Sequence, residues 1–471
     1  MLKSKYNIII CSLVFIAIAG AGCKKIIDID APLNQVTTDL VFASDKLATS
    51  ARSGLFSSLS QTTTQSTNLT VYSSLQADDL LYLSTVGGLQ EYNNNSYNAL
   101  STGQASIFSE WYAIIYRANA IINGLETSTG ASDAIKKQYI AEAKFVRAYC
   151  YFNLVNTFGD VPLVLVTDPT ITAFQPREAT ANIYTKIIAD LSDAKANLLN
   201  DYSATAGDRL GVNKFVATAL LARVYLFTGN YAAAETNASE VIASGLYSLI
   251  PRATMGTGLF IKNSAESIWQ MSPPVVATNQ YTNEAATFIP STTTAVTSFV
   301  YRIDPRFTAL FETTDLRRIN WMNHTTLSGA VYTLPFKYKY RTQALAVTAG
   351  VTEFQTVIRL AEVYLIRAEA RARIGTNLTG ALSDLNAIQT RAAATLSTST
   401  IPATLLSDIA LENRKELFCE QAFRWFNLKR TGEADAVLSA IKAGYTPKSK
   451  LLPLPQAALD ANYTLTQNPG Y

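Results

Sequence analysis

Apolar residues recur along much of this chain at the spacing of one helix face. In WYAIIYRANAIINGL, Trp111, Ile114, Ile115, Ala118, Ile121, Ile122 and Leu125 are separated by steps of three or one, which puts them on the same side of a helix. Segments 136–156, 213–228, 231–244, 356–374 and 378–394 have the same character. Several pair across a short turn containing glycine, as in LLARVYLFTGNYAAAETNASEVI and RLAEVYLIRAEARARIGTNLTGALSDLNAIQTRA. In the first helix of each pair an alanine is followed three residues on by a tyrosine, Ala222 by Tyr225 and Ala361 by Tyr364. A small residue lets two helices approach, and the tyrosine fills the groove beside it.

This is the logic of tetratricopeptide-type helix pairs. The copies are unevenly spaced, so the pattern predicts a mainly α scaffold with large insertions rather than a regular solenoid. A second texture interrupts the helices. Residues 61–106 and 272–298 are rich in Ser, Thr, Asn and Gln and read as long loops. VYTLPFKYKY, at 331–340, alternates enough to predict a short strand or hairpin.

The N-terminus differs from the rest. Lys3 and Lys5 precede an almost wholly apolar run from Ile8 to Ala19, and the small residues Gly20, Ala21 and Gly22 lead to Cys23. That run makes roughly 18 Å of helix, short of the ~30 Å hydrocarbon core of a bilayer, so residues 1–22 read as a signal peptide. Small residues directly before a cysteine resemble the lipobox of bacterial lipoproteins, although Gly20 stands where Leu or Val is usual. Cys23 then becomes the lipid anchor and 23–34 a tether, with a domain at 35–471. Several acyl chains hold a protein at a membrane where one is marginal.

A hydrophobic share of 48% with 16% charged residues supports a large core. A net charge of +3, without a basic block, argues against nucleic acid as a partner. Beyond Cys23 the cysteines are Cys150 and Cys419, both in apolar helical patterns; a disulfide is open to geometry, but two buried thiols fit the pattern better.

Candidate catalytic chemistry is sparse. His324 is the single histidine, and no G-x-S-x-G elbow, P-loop or G-x-G-x-x-G is present. One histidine and two scattered cysteines do not make a metal site, and no cofactor is implied. Glycoside hydrolysis needs only two carboxylates. Asp78 and Asp79, however, are adjacent and point to opposite sides of an extended backbone. Glu416 and Glu420 read as part of a charged rim around the aromatic core of Phe418, Phe423, Trp425 and Phe426. The protein reads as a binding protein, not an enzyme.

Several stretches, in order, carry a family resemblance: CKKIIDIDAPLNQVTTDLVFASDKLATSARSGLFSSL, AEAKFVRAYCYFNLVNTFGDVPLV, DPRFTALFE, LENRKELFCEQAFRWFNLKRTG and LLPLPQAALDANYTLTQNPGY. The chain resembles the SusD/RagB family of outer-membrane nutrient-binding lipoproteins of Bacteroidetes. The resemblance implies a helical scaffold of tetratricopeptide-like pairs carrying long binding loops and few short strands. It also implies a lipid-anchored, surface-exposed protein whose partner is a SusC-like TonB-dependent outer-membrane transporter. The implied ligand is an oligosaccharide; the RagB branch implies a peptide, and a lid without selectivity of its own is a third reading.

Sugars present apolar C–H faces and hydroxyl edges, so a site for them combines aromatic rings with short planar polar groups. Loop 72–97 has that mixture. Asp78, Asp79, Tyr82, Tyr92, Asn94 and Tyr97 are therefore candidate ligand residues, joined by Tyr281 from the second loop and by Trp321, the one tryptophan considered as a candidate for exposure.

Overall fold

Gly229 and Gly375 end helices with φ of 75° and 81°, a conformation that costs a residue without Cβ little. Asn230 and Asn377 then cap the following helices, their side chains accepting from the Ala233 and Gly380 backbone N–H groups at 3.2 and 3.0 Å. Each short turn thus stops one helix and starts the next, which is how the pairs anticipated at 213–244 and 356–394 arise.

The computed structural model describes residues 38–84, 88–101, 103–273, 281–293 and 295–471; residues 1–22, Cys23 and the tether at 24–34 lie outside them. Helices Gln104–Thr127, Asp133–Phe158, Thr180–Asn197, Lys214–Phe227, Tyr231–Ala243, Leu360–Ile374 and Leu378–Ala392 pack in that succession, Tyr231–Ala243 lying directly against Leu360–Ile374 although more than a hundred residues separate them in the chain. Pro402–Leu417 closes over the last pair. Ala222 and Ala361 are wholly buried, with Tyr225 and Tyr364 half-buried beside them, as the close-approach reading expects. Strands among the described residues form two-stranded antiparallel sheets, including the hairpin Met322–Leu327 with Ala330–Pro335 that the alternation at 331–340 predicted.

Three expectations need correction. First, the helix expected over 356–374 starts only at Leu360. Gln355–Arg359 is a strand paired antiparallel with Ser267–Met271, where Thr356, Val357 and Ile358 are β-branched and buried.

Second, much of 61–106 is helical rather than loop. A π-helical turn at Thr64–Asn68 runs into Leu69–Gln76, and Gln90–Asn94 follows. Hydroxyls here bond back to their own helix, Ser66 to the Thr62 carbonyl at 2.7 Å and Ser73 to the Leu69 carbonyl at 2.5 Å, so Ser and Thr enter the interior with their polarity satisfied.

Third, the charges of the C-terminal motif are not a rim on one helix. The helix ends at Leu417 and another begins at Phe423, because Cys419, Gln421 and Ala422 adopt φ of 50°, 42° and 62°. Glu416 and Glu420 therefore meet partners from distant segments. Glu416 accepts from Arg359 at 2.5 Å, from Arg317 at 3.1 Å and from Arg391. Glu420 accepts from Arg359 at 2.9 Å and from Lys337 at 2.5 Å. All of these groups are buried. Burial pushes the Glu416 carboxyl up, but three guanidiniums outweigh it and hold the group far below the usual range. Cys150 and Cys419 are both buried free thiols.

Candidate functional site

The strand Leu80–Tyr82 pairs antiparallel with Tyr301–Ile303, placing Leu80 opposite Ile303 and Tyr82 opposite Tyr301. Strand alternation puts all four side chains on one face. Leu80 and Ile303 reach the core, while the two tyrosines lie at its margin, ring centroids 5.6 Å apart. Phe288, from helix Asn283–Phe288, meets Tyr301 edge to face at 5.6 Å. Tyr72, from helix Leu69–Gln76, stacks on Tyr92 at 4.3 Å. Gly103, at φ 89°, passes so close to Tyr72 that an added Cβ would fall 2.4 Å from its ring. A side chain there would displace the tyrosine.

Tyr72 and Tyr301 are half-buried, and neither hydroxyl has a hydrogen-bond partner among the described residues. Burial, then the Tyr82 and Tyr72 phenols, push the Tyr301 pKa up. Tyr72 is likewise raised by burial and by Glu91 and Glu110. Both phenols stay protonated and keep a donor and an acceptor. Phe299 and the half-buried Tyr332, with ring centroids 4.8 Å apart, add a second aromatic pair where Ala330–Pro335 packs beside Tyr301–Ile303. Asn93 and Gln90 brace this surface, Asn93 Oδ1 accepting from the Tyr82 N–H at 3.0 Å and Gln90 Nε2 donating to the Ser84 carbonyl at 2.8 Å.

The eight sequence candidates divide. Tyr82 lies on this face, at its buried edge. Tyr92 is fully buried and supports Tyr72 from beneath. Tyr97 is buried too, accepting from Gln76 Nε2 at 3.1 Å and donating to the Ser449 carbonyl. Asn94 is exposed, its Oδ1 accepting from Asn93 Nδ2 at 3.1 Å. Tyr281 is half-buried, its hydroxyl accepting from the Glu353 N–H at 2.9 Å.

Trp321, the one tryptophan considered as a candidate for exposure, is 0% accessible. It roofs the ionic network, with Lys337 Nζ 4.8 Å and the Arg359 guanidinium 5.7 Å from its ring. Asp78 and Asp79 are also interior. The Asp78 carboxylate accepts from Arg424 at 2.7 and 3.0 Å and pairs with Arg414 Nη2 at 2.9 Å, which donates to the Asp78 carbonyl at 3.1 Å; Asp79 accepts from Arg414 at 2.8 Å. Burial pushes Asp78 up, but its two arginines outweigh this and hold it below the usual range, whereas burial raises Asp79.

Tyr301 and Phe288 escaped the sequence reading. The alternation Phe299, Tyr301, Ile303 before DPRF was the available signal for Tyr301. Phe288 sits close above a buried acid, Glu284, whose Oε1 accepts from Gln355 Nε2 at 2.5 Å and whose pKa burial pushes up to about 7.

A helical scaffold presenting an aromatic, polar-tipped face defines a binding protein. The SusD family model matches residues 278–471, and a model described as starch-binding associating with outer membrane matches 25–226. The chain belongs to the SusD/RagB family. SusD-like protein P38 of Formosa agariphila is 24% identical, over 81% of this chain and 83% of its own. A SusD superfamily protein of Bacteroides thetaiotaomicron superposes with a TM-score of 0.77 at 24% identity, covering 90% of this chain and 100% of that one. The surface glycan-binding protein A of Bacteroides fluxus superposes with a TM-score of 0.77 at 22% identity, covering 91% and 100%. These solved structures share the mainly α fold expected from the helix pairs.

Proposed function

We propose that this protein is a cell-surface glycan-binding lipoprotein that captures oligosaccharides on the tyrosine face. The observation that carries the reading is the pair Tyr72 and Tyr301, two half-buried rings close enough for the Tyr72 phenol to raise the Tyr301 pKa, whose hydroxyls have no partner among the described residues. Rings of this kind stack on sugar C–H faces, and their hydroxyls exchange hydrogen bonds with sugar hydroxyls. The likeness to the surface glycan-binding protein of B. fluxus and to the starch-binding, outer-membrane-associating family supports the ligand class and the association with the outer membrane.

In this reading residues 1–22 are removed, Cys23 carries the lipid, 23–34 is the tether and 35–471 the binding domain. The domain hands its ligand to a SusC-like TonB-dependent transporter, and ligand bridging the two stabilises the closed state. No catalytic step is assigned.

The test is calorimetric titration of the purified protein with neutral oligosaccharides and with mixed peptides, repeated for Tyr301→Ala and Tyr72→Ala. Saturable glycan binding that weakens about tenfold or more in each variant is the expected result. Binding of peptides alone overturns the glycan reading. Cys23→Ala is expected to release a folded protein from the membrane, and equal membrane retention of both forms would sink the anchor.

A further inference from the structure

A cleft of about 340 Å³ lies among helices Leu360–Ile374, Pro402–Leu417 and Phe423–Arg430. It shares no lining residue with the tyrosine face. Arg414 and Arg424 both line it, and both are held by the acids that the sequence had suggested for ligand contact. Arg424 commits Nε and Nη2 to Asp78, and Arg414 commits Nε to Asp79 and Nη2 to Asp78. The Nη1 of each has no acceptor among the described residues. Two guanidiniums fixed in this way are pre-organised donors, with little ordering left for a ligand to impose.

The lining leaves hydrogen-bond donors free. Asp78 is the ionised partner of both arginines. Burial raises Asp79, and its Oδ2 has no partner among the described residues. Elsewhere in the lining Arg430 closes on Glu369 at 2.8 and 2.6 Å, and Arg373 and Glu433 stand exposed at the rim with opposite signs. The two aspartates occupy only the Nε and Nη2 groups of Arg414 and Arg424, so the Nη1 groups face the cleft lining without an internal acceptor among the described residues. Asn413 accepts from Asn427 Nδ2 at 2.8 Å, which leaves its own amide N–H groups without an acceptor among the described residues. The Ser407 hydroxyl is exposed beside them.

We propose that this cleft binds the carboxylate of an acidic sugar unit, with the Nη1 groups of Arg414 and Arg424 as its donors. The volume is at the low end for a small-molecule site, about 300 Å³ upward, and suits one or two sugar units. A peptide fits less well, because the walls are helices whose backbone groups are already bonded and offer no strand edge. Side-chain amides and hydroxyls instead suit ring hydroxyls.

The experiment is calorimetry of the purified protein with an oligogalacturonide, its methyl ester, a sulfated oligosaccharide and an acidic peptide, at low and high salt. The key variant is Ala410→Glu. Ala410 is exposed, lines the cleft and lies outside the ion pairs, so a carboxylate there repels an anion while the fold survives, as a melting curve checks. The expected result is oligogalacturonide binding that falls about tenfold on esterification, in high salt and in Ala410→Glu. No binding, or binding insensitive to esterification or to Ala410→Glu, overturns the proposal. Tighter binding of the sulfated sugar or of the peptide overturns the carboxylate-sugar assignment. Neutral-glycan binding in Ala410→Glu is expected to match the parent, so failure of the tyrosine-face reading is seen separately.

Discussion

Asp78 and Arg424 are joined by two hydrogen bonds, at 2.7 and 3.0 Å, across 346 residues of chain. An acidic dipeptide that looks like part of a polar loop is therefore a clamp between the two ends of the domain. Removing one partner of a buried pair leaves the other charge uncompensated, so Asp78→Ala is expected to destabilise the fold by about 3 kcal/mol. Because the folded carboxyl is held below its usual range, its contribution is present above the unfolded pKa and lost as pH falls through the lower folded one. Urea titration across acidic pH checks both. Equal stability of the two proteins at neutral pH rules the clamp out.

A sharper contrast separates the interior ion pairs from those at the surface. Glu416→Gln leaves Arg359, Arg391 and Arg317 facing a neutral group and is expected to cost about 3–5 kcal/mol. Asp435→Asn breaks the exposed pair with Lys450, 2.8 Å apart, and is expected to cost no more than about 1 kcal/mol. Denaturation midpoints of the two variants measure the difference, and similar shifts would refute the distinction.

Glu284 has the opposite pH behaviour. Burial pushes its pKa up to about 7, so the folded protein favours the protonated carboxyl. Its contribution is complete below the unfolded value, near 4.5, and is lost as pH rises through about 7. Glu284→Gln keeps an acceptor for Gln355 and removes the titration. The variant is expected to gain about 2 kcal/mol over the parent at pH 8 and little at pH 5. A parallel pH dependence in both proteins would contradict this origin.

Gly103→Ala tests the close approach beneath Tyr72. The φ of 89° and the 2.4 Å contact both oppose a Cβ. The substitution is expected to destabilise the protein by about 1–3 kcal/mol and to weaken ligand binding along with it, because Tyr72 must move. A nearby glycine with open space around it, Gly54, lies within a helix and is expected to accept alanine without loss. Melting temperatures of the two variants give the comparison.

The helix pairs with their glycine-containing turns, the short strand or hairpin at 331–340 and the family were legible in the chain, because each rests on neighbours in sequence. Helical periodicity, capping and turn chemistry act over a few residues, and family motifs are contiguous strings. What escaped were matters of distant pairing. Nothing near Asp78 tells that Arg414 and Arg424 will arrive to neutralise it, and nothing near Trp321 tells that three cations will surround its ring. The same blindness turned Glu416 and Glu420 into a solvated rim. A charge or an aromatic ring has the same local signature whether it faces water or a partner brought from far along the chain. The sequence by itself determined the paired helices and which faces they bury. Only the tertiary structure decided which polar groups found partners inside, and so which tyrosines and arginines were left with hydrogen bonds to offer a ligand.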